Sequence, residues 1–436
     1  MEYAGLAKVE LTPWAGIALQ GYGARLKPCE GAHDSLWARA LWISDGKNDA
    51  LVISADLVAV PYDLANRVKA RLGVSCGLAS EAIMIACAHT HSGPATLPAP
   101  YIGDPNPAYL VQLENWLVEA GERAKADVAP VSVRTGRSQA AIAHNRRGAR
   151  LEGGPTHTDP ELITLQLLGR DGAPRGIVFN LACHAVTLGP GNLLASRDWP
   201  GYAVDALEAE APGAMGLFIN GANADLNPRE VGSFEIAEKL GLEAARAALA
   251  SLTSGDVVEP GPVTAWARDL PLASRELLTL EELEAFEEGH KASLAAAEQA
   301  GDELGVHFAK AYLYWASLMR PLIEAGLRAV RQEGSLAQVI TVGEQIAFAA
   351  FPGETLNALG VEVKRCSPFS TTLIASNANS YIGYLPPEEE WALGGYEVED
   401  AHRWCGLPGV AQGAPELVSA ALIRRLNLVA QQLSFA

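Results

Sequence analysis

An uninterrupted apolar run over residues 83–88 ends abruptly at two histidines, His89 and His91. A short apolar run that stops at a Ser-Gly-Pro turn signal is typical of a buried strand. In an extended chain, side chains two positions apart point to the same side, so we expect both imidazoles to face one way at the strand end. Such a pair can bind a metal or assist a reacting group, although many His-X-His sequences are simply polar strand ends.

Two further apolar runs end in residues of the same chemistry. His184 follows a run over 176–179, and Glu354 follows a run over 345–351 together with a Pro-Gly turn. In α/β proteins ligands gather at the carboxyl ends of strands. Two imidazoles and one carboxylate suit a zinc ion that keeps an open position for water. We therefore expect His89, His184 and Glu354 to meet at one edge of a sheet.

The coarse pattern of the chain alternates strands with amphipathic helices through the first 250 residues. Residues 51–58 read as a buried strand, and helices are expected over 62–72, 107–126 and 201–211. This alternation predicts an α/β fold, with a mixed or largely parallel sheet core flanked by helices.

A long helical insertion is expected near 277–331, where Thr279 and Glu282 resemble a capping box. Its aromatic and apolar residues recur at helical spacing, which fits a helical hairpin packed on the core. Alternatively, part of the hairpin lies over the zinc site and shapes the substrate pocket.

Composition and charge indicate what class of protein this is, but they say little about any reaction it catalyses. The candidate residues are spread along the chain and no Pro/Ser-rich linker divides it, so we expect one domain over 1–436. A net charge of -18 argues against a nucleic-acid surface. No stretch has the length and apolarity of a membrane span, and the N-terminal residues lack a signal-peptide pattern, which predicts a cytoplasmic protein. The oligomeric state is left open.

The six cysteines show no CxxC pairing, which indicates reduced thiols, most of them buried. Cys183 precedes His184, so a zinc-thiolate role is an alternative. A strand would point the Cys183 side chain to the opposite face from that of His184.

Six motifs follow one another along the chain: AHTHSGP (88–94), ACHAVTL (182–188), PGET (352–355) and NSYIGY (379–384), followed by EEE (388–390) and GYE (395–397). In these motifs and in their order, the chain resembles a known family, the neutral (non-lysosomal) ceramidases, which are zinc-dependent amidases. VELTP (9–13), GY (21–22), the segment 33–39 and NR (145–146) are similar as well, so the resemblance covers most of the chain.

The resemblance implies a role for each matching position. Zinc ligands are implied at His89, His184, Glu354 and Tyr384, with His91 close by to handle protons. The unusual tyrosine ligand would have its phenolate favoured by the neighbouring dication. An ordinary packing role for Tyr381 and Tyr384 is the alternative on sequence alone.

Two polar residues are expected to contact substrate in this interpretation. Arg146 aligns with a family arginine that faces the zinc site and would bind the carbonyl oxygen or another polar substrate group. Asn227 would contact the leaving side. For the neighbouring Arg147 and Arg150, a solvated loop is the alternative.

Acidic residues near these motifs admit two interpretations. Asp56 and Asp225 follow apolar runs, where they either orient the imidazoles or cap loops. The same two interpretations apply to Asp198.

Two departures from the family pattern concern the substrate. Ceramidases have a serine just before the proline of ADLNP (224–228), where this chain has Asn227. An amide is bulkier than a hydroxyl and presents separate donor and acceptor ends, so a group other than that of ceramide is expected to be recognised. The chain also ends soon after the tyrosine region, so the family's C-terminal β-sandwich domain is expected to be absent.

The function expected from these observations is hydrolysis of an amide bond in a small or lipid-like N-acyl compound by a zinc-activated water. A first alternative is a zinc enzyme that acts on an ester or a carbohydrate-derived substrate on the same scaffold. A second is a binding or scaffold protein whose metal site is structural.

Overall fold

The computed structural model describes residues 2–253 and 255–434. Its strands, in chain order, are β1 (Tyr3–Glu10), β2 (Gly31–Ala32), β3 (Trp37–Ser44), β4 (Asp49–Ala55), β5 (Ile83–Cys87), β6 (Ala129–Gln139), β7 (Ala143–Asn145), β8 (Glu161–Gly169), β9 (Pro174–Leu181), β10 (Leu194–Ala195), β11 (Met215–Asn220), β12 (Leu226–Pro228), β13 (Asp256–Val258), β14 (Val263–Asp269), β15 (Leu336–Val342), β16 (Ile346–Ala350), β17 (Glu354–Thr355), β18 (Thr371–Ala375) and β19 (Tyr384–Leu385).

The α-helices are α1 (Tyr62–Cys76), α2 (Pro107–Ala126), α3 (Arg146–Arg150), α4 (Asp198–Glu210), α5 (Phe234–Leu252), α6 (Leu280–Ala300), α7 (Glu303–Glu324), α8 (Asn357–Cys366), α9 (Glu388–Trp391), α10 (Ala401–Trp404) and α11 (Ala414–Ser434). Short 3₁₀ turns occupy Ser80–Ala82 and Pro100–Ile102, and a π-helical turn spans Tyr396–Asp400. In the described residues, no helix is long and apolar enough to span a bilayer.

Two larger sheets form the scaffold. The nine-stranded sheet runs β11-β9-β8-β6-β1-β3-β4-β5, and β13 also pairs with β6. The four-stranded sheet runs β14-β15-β16-β18. Both sheets are mixed: β4–β5, β9–β11 and β16–β18 are parallel, and the other pairs within them are antiparallel. The predicted α/β fold with a mixed sheet core is confirmed.

The two sheets share one apolar core. Strand β5 is apolar along its whole length because both of its faces are buried. Residues of β4 and β5 join Val263, Ile340 and Phe348 of the second sheet in the same cluster. Polar side chains also connect the sheets, since Asn379 accepts a hydrogen bond from Ile85 N and donates one to Gln338. Strand ends from the two sheets therefore lie close together.

Helices cover the sheets in groups. Helices α1 and α2 pack at the β1–β3–β4 end, α4 and α5 at the β6–β8–β11 end, and α8 and α11 on the second sheet. The predicted helices are present as α1, α2 and α4. The strand expected over 51–58 is β4, which begins at Asp49 and ends at Ala55, where Leu57 N donates back to Ala55 O and turns the chain.

The predicted helical insertion is the α6–α7 hairpin. The Thr279–Glu282 capping box begins α6 as expected, and a cluster around Leu283 and Trp315 joins the two helices. In the described residues, no hydrogen bond joins the hairpin to the imidazoles of His89, His91 or His184. The hairpin packs on the 400–405 segment, where Tyr312 donates to Asp400 and the Tyr312 ring meets Trp404.

Candidate metal and catalytic site

Three strand ends bring the predicted donors together. His89 follows β5, His184 follows β9, and Glu354 follows β16 after the Pro-Gly turn. The Nε2 atoms of His89 and His184 are 3.2 Å apart. The Oε2 atom of Glu354 lies 3.4 Å from each of these nitrogens. All three side chains are buried, so the expected convergence of distant segments is present.

His91 reaches the same point by a route that differs from the expectation. Strand β5 ends at Cys87, and His89 adopts a left-handed backbone conformation with φ of 63°. The two histidines are therefore not successive residues on one face of an extended strand. The turn at His89 instead brings the Nε2 of His91 to 3.2 Å from that of His89. Left-handed backbone is strained for a residue with a side chain, and such strain is concentrated at functional sites.

Main-chain carbonyls fix the orientation of two of the imidazoles. His89 Nδ1 donates to Val58 O at 2.8 Å, and His184 Nδ1 donates to Asn223 O at 2.7 Å. With the protons on Nδ1, both Nε2 atoms are unprotonated in the neutral rings. Two lone pairs then face each other across 3.2 Å, which is repulsive unless a cation lies between them. The aspartates considered from the sequence do not perform this orientation.

The carboxylate completes the same donor set. Tyr381 donates to Glu354 Oε1 at 2.7 Å, while Oε2 is buried and has no hydrogen-bond partner among the described residues. An unpaired buried carboxylate oxygen is costly, and it is typical of a site where an ion or water is to be held. Donors on a tetrahedral zinc, at about 2.0–2.1 Å from the metal, stand roughly 3.3–3.4 Å from one another. The observed spacings fit that ion.

Ionisation in the cluster matches the state that a metal binds. Burial lowers the pKa of His184 to about 4, against the opposing effect of Glu354. Burial and the neighbouring histidines lower the pKa of His91 well below its usual value. Burial acts to raise the pKa of Glu354, but His89 and His184 outweigh it, and the net shift is well downward. At neutral pH, His91 and His184 are therefore neutral and Glu354 is charged.

The predicted catalytic side chains meet beside this cluster. Tyr384 lies next to Glu354, because β17 and β19 pair these two residues in parallel register. Arg146 donates to the Tyr384 hydroxyl at 3.1 Å and to Asn227 Oδ1 at 3.2 Å. Burial and the Glu354 carboxylate raise the pKa of Tyr384 well above its usual value, and Arg146 opposes that shift. The structure thus brings all the candidate residues into one region.

A buried ion network holds Arg146 in place. Glu397 accepts from Arg146 Nε through Oε1 and from Arg147 through Oε2, each at 2.7 Å, and Glu390 accepts from Arg147 at 2.8 Å. A solvated loop was the alternative interpretation for Arg147 and Arg150. Arg147 is buried, and Arg150 is exposed. The network contains two cations and two carboxylates, so it is neutral overall.

Sequence reasoning assigned no site contact to Tyr381, Tyr396 or Cys405. Tyr396 is half exposed, and its ring packs edge-on against Tyr384 and near the Arg146 guanidinium. Cys405 Sγ lies 3.4 Å from the Tyr381 hydroxyl. Tyr381 lies in the motif NSYIGY and Tyr396 in GYE. The sequence motifs alone do not show that these tyrosines contact the site residues; the geometry of the strand ends does.

The remaining sequence alternatives have simple outcomes. Asp56 and Asp225 tie loops together by accepting from backbone and amide groups, and Asp198 accepts from the backbone of Leu188 and Trp199. Cys183 is buried and its thiol faces the His184 carbonyl, away from the donor cluster. In the described residues the cysteines are unpaired; four are buried, and Cys366 and Cys405 are partly exposed.

Comparison with known proteins finds ceramidases both by sequence and by structure. A neutral ceramidase from Mycobacterium tuberculosis is 27% identical in an alignment of 224 residues, and the match covers 46% of this chain and 34% of that protein. The match thus spans about a third of the relative's length. The crystal structure of a neutral ceramidase from Pseudomonas aeruginosa superposes with a TM-score of 0.74 at 20% identity, covering 98% of this chain and 75% of the other.

A second solved structure, a ceramidase complexed with C2, gives a TM-score of 0.74 at 19% identity, covering 97% of this chain and 74% of that one. These two structures share the fold of the chain. Residues 3–257, more than half of the sequence, match the family described as neutral/alkaline non-lysosomal ceramidase, N-terminal. The chain therefore belongs to the neutral/alkaline non-lysosomal ceramidase family.

Proposed function

We propose that this chain is a zinc-dependent hydrolase that cleaves the amide bond of an N-acyl compound. The observation that carries the proposal is the donor cluster: two imidazole nitrogens with facing lone pairs and one unpartnered carboxylate oxygen, all within 3.4 Å of a neighbour. His89, His184 and Glu354 would hold the ion, with Tyr384 beside them. A zinc ion in this place supplies a Lewis acid and lowers the pKa of water toward neutrality.

The protein side chains supply orientation and proton transfer in this proposal. His91 Nε2 lies 3.2 Å from that of His89 and so borders the donor cluster, which makes His91 the candidate that would pass a proton from the attacking water to the leaving amine. Arg146 and the Tyr384 hydroxyl are donors aimed at one region, where they can stabilise the oxyanion that forms at the attacked carbonyl.

Asn227 bears on the choice of substrate. Its Oδ1 accepts from Arg146, which leaves its amide NH₂ free to donate toward a substrate acceptor. A serine at this position, as in ceramidases, would offer a hydroxyl in place of the amide. We propose an N-acyl compound whose polar group near the scissile bond is an acceptor, and we expect Asn227→Ser to shift the preference toward ceramide.

The site residues come from segments between Val58 and Glu397, and from both sheets, which supports the proposal that 1–436 acts as one catalytic unit. A cytoplasmic location stays a prediction.

The test combines metal analysis with paired substrates. The purified protein should contain about one zinc per chain by mass spectrometry of the metal, and should hydrolyse an N-acyl amide faster than the ester with the same acyl chain, relative to the uncatalysed rates. Turnover of esters or glycosides alone would favour the alternative zinc enzyme. Stoichiometric zinc without turnover of any of these substrates would favour a structural metal site.

A further inference from the structure

A groove that shares no residue with the candidate metal site is lined by three arginines and a tryptophan. It lies between β14, the edge strand of the four-stranded sheet, and α11. Its volume is about 350 Å³. Its lining residues are Trp266, Arg268, Leu270, Ala420, Ala421, Arg424, Arg425 and Leu428. None of these is acidic, and none belongs to the site described above.

The sequence period of each element explains how the groove forms. Trp266, Arg268 and Leu270 alternate along the strand and so share one face of it. Positions 421, 424, 425 and 428 follow the i, i+3, i+4, i+7 spacing of one helix face. Ala420 and Ala421 are small, so the helix leaves space opposite the tryptophan, and the longer arginine side chains border that space.

The charge of the groove is unusual for this chain. Acidic side chains outnumber Lys and Arg by 51 to 33, and buried arginines such as Arg147 and Arg197 are paired with carboxylates. In the groove, Arg425 Nε is buried without an acceptor among the described residues. Asp269, next in sequence to Arg268, is paired with Arg331 instead. Arg425 is partly buried and Arg268 and Arg424 are exposed, so these guanidinium groups are available to an anionic ligand that enters the groove.

A structural explanation accounts for only part of this arrangement. Edge strands carry inward-pointing charges that prevent pairing with another chain, and Arg268 alone could serve that purpose. It does not explain two adjacent arginines on the facing helix, or the apolar surface of Trp266 and Leu428 between them. Guanidinium groups match the oxygens of phosphate and carboxylate, and aromatic and aliphatic side chains bind an apolar group.

We propose that this groove binds a small amphiphilic anion, with its phosphate or carboxylate on Arg268, Arg424 and Arg425 and its apolar part on Trp266 and Leu428. The site is independent of the metal centre and goes beyond the proposed amide hydrolysis.

Isothermal titration of the full chain with octyl phosphate, below its micellar concentration, and with inorganic phosphate tests the proposal. We expect one octyl phosphate per chain, bound more tightly than inorganic phosphate. Arg424→Gln and Arg425→Gln should each weaken binding about tenfold. Trp266→Ala should weaken the binding of octyl phosphate more than the binding of inorganic phosphate.

Two controls keep the result specific. Arg134→Gln removes an exposed arginine of β6 and should leave binding unchanged. Glu354→Gln should also retain binding, which separates this groove from any anion bound at the metal centre. Absence of binding at millimolar octyl phosphate, or full binding by the double variant of Arg424 and Arg425, would overturn the proposal. Arginine-dependent sedimentation with phosphatidylglycerol vesicles but no binding of octyl phosphate would overturn it in favour of a membrane surface.

Discussion

The donor cluster around His89 and the ion network around Arg147 lie side by side, and both are buried and polar. They differ in how their polar atoms are satisfied. In the ion network, two arginines and two glutamates pair with one another. In the donor cluster, the Nε2 atoms of His89 and His184 face each other at 3.2 Å, and the adjacent Glu354 Oε2 has no hydrogen-bond partner among the described residues. Burial of polar groups therefore identifies a candidate binding site only where the groups fail to satisfy one another.

The largest effect is expected from removing a donor. His184→Ala should abolish stoichiometric zinc and lower kcat/KM for the amide substrate on the order of a thousandfold or more, because the activated water depends on the metal. Metal content and steady-state kinetics measure both. His144→Ala, at an exposed histidine of β7, is the matched control and should change neither. Full turnover by a His184 variant that contains no zinc would contradict the role of the donor cluster as the catalytic metal site.

Breaking the ion network should lower the stability of the protein without reducing its zinc content. Arg147→Met leaves Glu390 and half of Glu397 as buried unpaired carboxylates, so we expect the free energy of unfolding to fall by about 3–5 kcal/mol. Urea denaturation measures this change. Arg150→Met, at the exposed neighbour, should change stability by less than about 0.5 kcal/mol. Loss of zinc in a folded Arg147 variant would show that the two regions are not separable.

Lys69 provides a third kind of buried polar group, a charge placed outside both regions. It is 2% exposed on α1, and burial lowers its pKa to about 7 from 10.5. The unfolded chain therefore binds more protons than the folded chain between pH 7 and 10.5, so the folded state gains stability as pH rises through that window. Below pH 7 the lysine is charged in both states and the full penalty applies.

Lys69→Met should accordingly stabilise the protein, by about 2–3 kcal/mol more at pH 6 than at pH 9. Chemical denaturation at the two pH values measures the difference. Lys47→Met, at an exposed lysine, should show no such dependence. An equal gain at both pH values would mean that lost packing or polarity, and not the charge of Lys69, sets the cost.

The smallest effect should come from the link between the two regions. Glu397→Gln keeps the side-chain shape but weakens the bond that orients Arg146, so kcat should fall about tenfold with KM nearly unchanged and zinc retained. Glu397→Asp should recover part of the loss. Glu399→Gln, at an exposed glutamate nearby, is the control. A change confined to KM would place Glu397 in substrate binding and not in positioning.

Sequence patterns predicted the fold class, α1, α2, α4 and the α6–α7 hairpin, because apolar periodicity and capping chemistry are local. They also predicted that His184 and Glu354 would meet, since both follow buried strands. The left-handed turn at His89 was not predictable, because the tertiary contacts that impose it are made by distant residues. The sequence left open whether Arg147 is solvated or buried, since its partners Glu390 and Glu397 lie some 245 residues further along the chain.

The acceptors that orient His89 and His184 are the carbonyl oxygens of Val58 and Asn223. Every amino acid carries that oxygen, so a codon change at position 58 or 223 cannot delete the acceptor itself. Side chains around the reaction region, such as Asn227, have no such protection. A substitution at Asn227 can therefore change which substrate group is recognised without removing either acceptor that orients the imidazoles.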